Sequence, residues 1–328
     1  MRAEIKSLAT FVPPRLLTNA DLEKLVETSN DWIMQRTGIR ERHIVDPGVA
    51  TSDLASEAAV EAIRRAGLTP ADIDLIIVGT VTPDMLFPST ACLVQAKIGA
   101  TRAWGFDLSA ACSAFTYSLT VGAQMVSSGA AKHALVIGAD VMSSIIDYTD
   151  RSTCVLFGDG AGAVVVGRSS SDEYGIFDFE HEVDGNGGAA LCMPAGGSRM
   201  PASHKTVDDR LHFVKQEGQT VFKFAVTKTG DVCARLLARN GLTANDIDLF
   251  VSHQANRRII MSAAERLGLP REKVVINIER FGNTTAATIP LALNDAVTEG
   301  RIKRGDRVLL ASVGAGFTVG AVLMRWGI

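Results

Sequence analysis

RAGLTPADIDLIIV (65–78) returns as RNGLTANDIDLFVS (239–252), 174 residues further along the chain. Each copy closes a helix at glycine, turns through Thr and Asp, and enters an apolar strand, Leu75–Val78 or Leu249–Val251. HALVIGAD (133–140) is echoed in the same order by DRVLLASV (306–313), each after a helix that ends at Gly129 or Gly300. Those helices start near Cys112 and Asn283, 171 residues apart. One such pair could be chance. Two pairs in one order at nearly one offset indicate a duplication. Repeats of about 20–50 residues stack into solenoids, whereas a repeat half the chain long means two similar halves packed together.

Hydrophobic periodicity predicts helices near 51–66, 89–99, 112–129, 218–240, 256–267 and 284–299. It predicts strands near 73–80, 103–108, 133–140, 161–167, 246–252, 273–277, 307–312 and 317–325. Helices alternating with near-continuous apolar strands imply an α/β fold whose sheets are mostly parallel and covered by helices. Residues 183–209 read as an extended loop region. The division falls near 170–175, giving an N-terminal half at 1–172 and a C-terminal half at 173–328.

The chain has 328 residues, enough for a substantial core, with 47% hydrophobic and 21% charged residues, as in ordinary globular proteins. Its 33 basic and 36 acidic residues give a net charge of −3, which carries no nucleic-acid or membrane signature. Cys92, Cys112, Cys154, Cys192 and Cys233 are odd in number and lack C-x-x-C spacing. That argues for reduced thiols and against a disulfide framework or a zinc site. The N-terminus MRAEIKSLATF lacks the apolar core of a signal peptide. Leu108–Ala131 is uncharged and long enough to span a bilayer, but its many Ser and Thr residues suit a buried central helix better.

GDGAGA (158–163) formally fits a dinucleotide fingerprint, but an apolar strand follows it where a helix is required. GAGFTVG (314–320) has Val319 at the third small-residue position. Both read as tight turns joining hairpins, where small residues let backbone approach backbone or ligand. No Walker A, HExxH or EF-hand sequence is present.

Cys112 closes the strand-like run WGFDLSAAC (104–112) and opens a long helical stretch. A lone Cys in an Ala/Ser-rich run is usually a small buried hydrophobe. At a strand-to-helix junction, however, the helix dipole and nearby N–H groups lower a thiol's pKa and favour thiolate near neutral pH. SHQAN (252–256) and RFGNTTAA (280–287) offer His253 and Asn283 as partners. Taken singly, a His at a strand end is more often structural and an Asn before Thr-Thr more often a helix N-cap.

The motifs DWIMQRTGIRERHI (31–44), TPDMLFPSTAC (82–92), DLSAACSAF (107–115), DRSTCVLFGDGAGAVV (150–165), SHQAN and RFGNTTAA together resemble the β-ketoacyl-acyl carrier protein synthase III family over essentially the whole chain. The resemblance implies a thiolase-like five-layered αβαβα fold built from two similar halves. It implies an acyltransferase that condenses an acyl-CoA primer with malonyl-acyl carrier protein, releasing CO₂ and initiating type II fatty acid synthesis. Such an enzyme is a cytoplasmic homodimer that uses the coenzyme A thioester as substrate. No cofactor, metal, nucleic acid or membrane is implied. Departures from the family pattern are Ala114 after the nucleophile, Val319 in the C-terminal glycine loop, and LATFVP (8–13) at the early strand turn. They bear on primer preference rather than reaction class.

By this resemblance Cys112 takes up the acyl group, with the N–H groups of Cys112 and Gly316 as oxyanion donors. His253, through an imidazole N–H, and Asn283, through its amide, would stabilise the malonyl enolate, leaving the helix to activate Cys112. Thr28, Trp32, Arg36, Arg151, Phe222 and Asn256 would hold coenzyme A. Phe87, reaching across a dimer interface, and Phe157 would bound the primer pocket; a core position beside Pro88 is the plainer alternative for Phe87. Lys223, Arg257, Arg258 and Arg266 would meet the acidic carrier protein. Rival functions are a specialised condensing enzyme of secondary metabolism, a Cys-His thioester hydrolase, and a non-catalytic binding subunit. The Asn at the third position argues against the hydrolase, and the nucleophile's presence argues against the binding subunit.

Overall fold

A computed structural model describes residues 2–328. Two sheets carry the fold. The first is built from β1 (Ala3–Phe11), β2 (Leu75–Gly79), β3 (Trp104–Leu108), β4 (His133–Asp140) and β5 (Gly160–Arg168), in the order β1-β5-β4-β2-β3. The second is built from β6 (Gly175–Val183), β7 (Leu249–Ser252), β8 (Arg307–Gly314) and β9 (Thr318–Arg325), in the order β7-β8-β9-β6.

Strand alternation shows how the layers stack. Leu75 and Ile77 join Val136, Val164 and Val166 in a central cluster, while Ile76 and Val78 join Leu135, Ile137 and Val165 in an outer one. Of the helices, α1 (Asn30–Thr37) lies before the first sheet's cover, which is formed by α2 (Thr51–Arg65) and α3 (Thr90–Ile98) through Leu54, Ile63 and Val94. Between the sheets lie α4 (Ala114–Ser128) and α7 (Thr288–Thr298), both of which bury their faces in the central cluster, through Phe115, Leu119, Ile289 and Leu293. The far side of the second sheet packs Phe250, Leu309 and Leu323 on α5 (Gly218–Arg239) and α6 (Arg257–Leu267). The result is five layers, helix-sheet-helix-sheet-helix. The uncharged stretch around α4 fills the middle layer, and no helix among the described residues is long and apolar enough to cross a membrane.

Several expectations need correction. The sheets are mixed rather than mostly parallel: β2 pairs in parallel with β3 and β4, and β7 with β8, but β5 and β9 run antiparallel to both neighbours. Residues 273–277 form no strand; Val274 makes a single bridge to Phe250 between two short helical turns. β1 and β6 were not expected, since polar residues interrupt both. In β6 the polar set Asp178, Glu180 and Glu182 is ion-paired with Lys228, Arg235 and Arg239 on α5. GAGF does form the β8–β9 hairpin turn, whereas Gly160 and Gly162 of GDGAGA lie inside β5. The small residue is still needed there, because a Cβ on Gly162 would sit 2.4 Å from Pro290 Cβ.

The repeat extends to local detail. A short helical turn at Ala111–Ser113 leads into α4, and its counterpart at Thr285–Ala287 leads into α7, 174 residues later. Ala111 and Thr285 share a φ of +48°, a left-handed conformation uncommon for residues with a Cβ. The counterpart of Cys112 is therefore Ala286 and not Asn283, which lies three residues before it.

Candidate active site

Cys112 sits between two cavities. One, of about 210 Å³, is lined by Cys112, Phe157, Phe222, His253, Asn256, Asn283, Gly314 and Phe317 among others. The other, of about 140 Å³, is largely apolar and is walled by Val81, Met142, Ile145, Met193, Val214, Thr285 and Ala315. They share Cys112, Phe157 and Leu191. Outward, the first cavity continues through Ser152, Gly218, Phe222 and Asn256 into a surface groove that also holds Trp32, Arg36, Lys223 and Arg258. A path thus runs from the surface to the thiol and on to an apolar end.

The site is assembled at strand ends. His253 follows β7, its N–H bonded to Ala311 O at 2.7 Å, and its Nδ1 lies 2.6 Å from Thr288 Oγ1. Thr288 in turn donates to Thr285 O at 3.1 Å. With its proton placed there, Thr288 accepts Nδ1–H and leaves Nε2 as an acceptor; turned toward Nδ1, it leaves Nε2–H as a donor. Asn283 is held by backbone bonds from its N–H to Leu156 O (2.9 Å) and from Gly158 N to its own carbonyl (3.0 Å). Its Oδ1 accepts from Thr285 N at 2.9 Å, so the carboxamide NH₂ is the end left to donate. Beside Gly282, the residue before Asn283, lies Arg42, fully buried, donating to Leu17 O, Asn19 Oδ1 and Val155 O.

The electrostatics overturn one expectation. Burial pushes the Cys112 thiol up to about 12, with the Asp140 charge adding to the rise and the residue's own backbone N–H opposing it. The helix start therefore does not by itself provide a resting thiolate. Burial pulls the His253 imidazole down to about 3, so the ring is neutral at physiological pH. A raised thiol pKa means that thiolate accumulates only as pH climbs toward it. Alkylation of Cys112 by iodoacetamide, followed by peptide mass spectrometry, is expected to keep rising between pH 8 and 10, where a free cysteine with a pKa of about 8.5 approaches saturation. A plateau below pH 7 would instead reveal a thiolate–imidazolium pair.

The loop expected to supply the second oxyanion donor meets the cavities through other residues. Gly316 lines neither cavity, whereas Gly314 and Ala315 each share one with Cys112. A Cβ on Gly314 would lie 2.8 Å from Cys112 N and 3.0 Å from Ala110 O. Gly314→Ala must push the Cys112 turn aside and is expected to slow acylation by about 100-fold or more, read by stopped acyl-transfer time courses.

The remaining candidates divide. The guanidiniums of Arg36 and Arg151 lie 5.8 and 4.9 Å from the Trp32 ring centroid, and Arg258 lies 5.1 Å from that of Phe222. Asn256 caps α6 by accepting from Arg258 N and donates to Arg36 O, which ties α6 to α1. Thr28 lines none of these cavities, although its Oγ1 is buried without a partner. Phe157 lines both inner cavities and bridges Asn283. Phe87 is 83% exposed beside the equally exposed Leu86, which removes the core alternative. Of the basic set, Lys223 and Arg258 share the surface groove, but Arg257 lines a separate one with Arg271 and Arg301, and Arg266 is paired with Asp231 at 2.6 Å. Among the described residues no group of three or more His, Cys, Asp or Glu side chains is arranged to hold a metal.

Sequence reasoning missed Thr285, Thr288 and Asp140. Asp140 ends β4 fully buried, and the one available signal was a carboxylate closing the apolar run HALVIGA.

Comparison with known proteins agrees with this geometry. The description "3-Oxoacyl-[acyl-carrier-protein (ACP)] synthase III" matches residues 106–185, and that of its C-terminal part matches residues 237–326. A "Beta-ketoacyl-[acyl-carrier-protein] synthase III" of Koribacter versatilis is 59% identical over 326 residues, covering 99% of this chain and 98% of the relative. The crystal structure of the 3-oxoacyl-[acyl-carrier-protein] synthase III of Aquifex aeolicus superposes with a TM-score of 0.91 at 44% identity, over 99% of this chain and 100% of that one. A priming β-ketosynthase from the R1128 polyketide biosynthetic pathway superposes at 0.92 with 34% identity, over 99% and 96%. With the five layers, the duplicated turns and a Cys, a His and an Asn on one cavity, these likenesses establish that the chain belongs to the 3-oxoacyl-[acyl-carrier-protein] synthase III family, a family of condensing acyltransferases.

Proposed function

We propose that the chain condenses an acyl-CoA primer with malonyl-acyl carrier protein through an acyl-Cys112 intermediate. The observation that carries the reading is that Cys112, His253 and Asn283 line one cavity, which opens outward to a groove bearing Trp32, Arg36 and Arg258 and meets an apolar pocket inward.

In the first half-reaction the neutral His253 accepts the thiol proton at Nε2 as Sγ attacks the thioester carbon. The role is needed because burial disfavours a resting thiolate. The tetrahedral oxyanion is met by the N–H of Cys112 and by that of Ala315, the loop residue that shares the apolar cavity with the thiol. Collapse breaks the C–S bond to coenzyme A, and the proton on His253 passes to the departing sulfur. In the second half-reaction the malonyl thioester oxygen lies against Asn283 Nδ2–H and, with Thr288 turned to Nδ1, against His253 Nε2–H. Loss of CO₂ leaves the electron pair as an enolate, which attacks the acyl carbon. Cys112 leaves and takes up one proton.

Trp32 with Arg36 and Arg151 suits an adenine ring and its phosphates. Trp32→Ala is expected to raise KM for acyl-CoA by about tenfold with little change in kcat, since a stacking contact made equally in ground and transition states changes KM alone. Lys223 and Arg258 at the groove suit an acidic carrier protein. A homodimer would cover Met85, Leu86 and Phe87, an exposed apolar run, and the edge strand β3, whose Trp104 is half-exposed. The deciding experiment incubates acyl-CoA with malonyl-acyl carrier protein and follows CO₂, free coenzyme A and the β-ketoacyl product. Stoichiometric appearance of all three is expected; free acid without condensation would indicate a hydrolase.

A further inference from the structure

Asp140 is buried and accepts six hydrogen bonds. Oδ1 takes Thr80 Oγ1, Val81 N, Thr82 N and Thr82 Oγ1 at 2.8–3.2 Å. Oδ2 takes Thr285 Oγ1 and Ala286 N. Thr285 is the junction. Its φ of +48° is unfavourable for a β-branched residue and persists only where surrounding bonds impose it. Its N–H fixes Asn283 Oδ1, and its C=O takes the hydroxyl of Thr288, the partner of His253 Nδ1.

We infer that Asp140 is a positioning residue for the decarboxylation step: it anchors the left-handed Thr285, whose N–H fixes the Asn283 carboxamide so that its NH₂ end faces the malonyl oxygen. The inference rests on the role proposed above for Asn283. Asp140 and Thr285 touch no substrate atom in that scheme except where Thr285 walls the apolar pocket.

The duplication supplies an internal control. Ala111 adopts the same φ in the equivalent turn, yet it has no hydroxyl, and in strand register, where Ala134 beside Leu75 matches Val308 beside Leu249, the residue equivalent to Asp140 is Gly314 rather than Val313. The turn itself therefore needs no carboxylate. The carboxylate and the hydroxyl occur only in the copy whose turn fixes the Asn283 carboxamide. That copy also needs the finer control, because two donors must converge on one oxygen.

The test measures the half-reactions separately on the full-length protein: mass shift of Cys112 with acetyl-CoA, and CO₂ release from malonyl-acyl carrier protein. Thr285→Val keeps the shape and removes the hydroxyl; Asp140→Asn removes the charge. Both are expected to lower kcat for CO₂ release by about 10–100-fold, the scale of a misplacement near 1 Å, while acylation changes far less and KM for malonyl-acyl carrier protein holds. Thr285→Ser, which retains the hydroxyl, is expected to recover most of the loss. Because Asp140→Asn removes a buried hub and can fail to fold, the Val and Ser pair at 285 decides the matter. Equal loss of both half-reactions, unchanged CO₂ release in Thr285→Val, or no recovery in Thr285→Ser would each overturn the positioning role. His253→Ala and Asn283→Ala run alongside. If both retain CO₂ release, the roles assigned to them fall and the positioning role falls with them. If both lose it while Thr285→Val does not, only the positioning role falls.

Discussion

Cys112→Ala is expected to form no acyl-enzyme with any acyl-CoA and to lose condensation by at least about 10⁴-fold, since removing a nucleophile eliminates the covalent path and leaves only binding and the oxyanion donors. Intact-mass spectrometry after incubation with acetyl-CoA reads the first part, and β-ketoacyl product formation the second. The change removes one buried sulfur that faces two cavities, and an unchanged circular-dichroism melt separates loss of chemistry from loss of fold. An acyl adduct that persists on the alanine variant would move the chemistry to another thiol. The candidate is then Cys192, which walls the same apolar cavity.

Asn283→Ala and His253→Ala are expected to separate the two half-reactions. Asn283 contributes one donor to the malonyl oxygen, and deleting such a donor typically costs about 10²–10³-fold in rate. CO₂ release should fall by that factor in Asn283→Ala while Cys112 is still acylated at close to the normal rate. His253→Ala should lose CO₂ release to a similar extent and slow acylation as well, because the buried thiol at about 12 then lacks its proton acceptor. Labelled malonyl-acyl carrier protein measures the first effect, and quenched mass spectra with acyl-CoA the second. Normal acylation in His253→Ala would remove the base role and return thiol activation to the helix start. The Asn283 prediction would stand unaffected.

The duplicated architecture was legible because its evidence is local and repeated: glycine-terminated helices, Thr-to-Asp capping turns and apolar strands survive in both halves. Sheet direction was not legible. Whether β5 runs with or against β4 depends on the length and course of the connection between them, and apolar runs look alike in either direction. β6 escaped notice because its charges are matched by arginines and a lysine on α5, more than 45 residues away. The catalytic candidates were legible as motifs, but their protonation states were not, since those depend on burial by segments distant in sequence. Phe87 illustrates the same limit: next to Pro88 it resembles any core aromatic until its exposure is measured. The hydroxyl frame of Thr285 and Thr288 joins residues 145 and 35 positions from their partners, beyond any local pattern.

Ala286 and Cys112 occupy equivalent places in two copies of one scaffold, each with a backbone N–H at the turn before a central helix. At Ala286 the chain supplies its own permanent anion, the carboxylate of Asp140. At Cys112 the corresponding strand ends in Gly314, and no carboxylate stands opposite. In the proposed chemistry that N–H serves a short-lived anion instead. A protein with twofold internal likeness is thereby confined to one reacting centre, and saturating acyl-CoA should load each chain with a single acyl group.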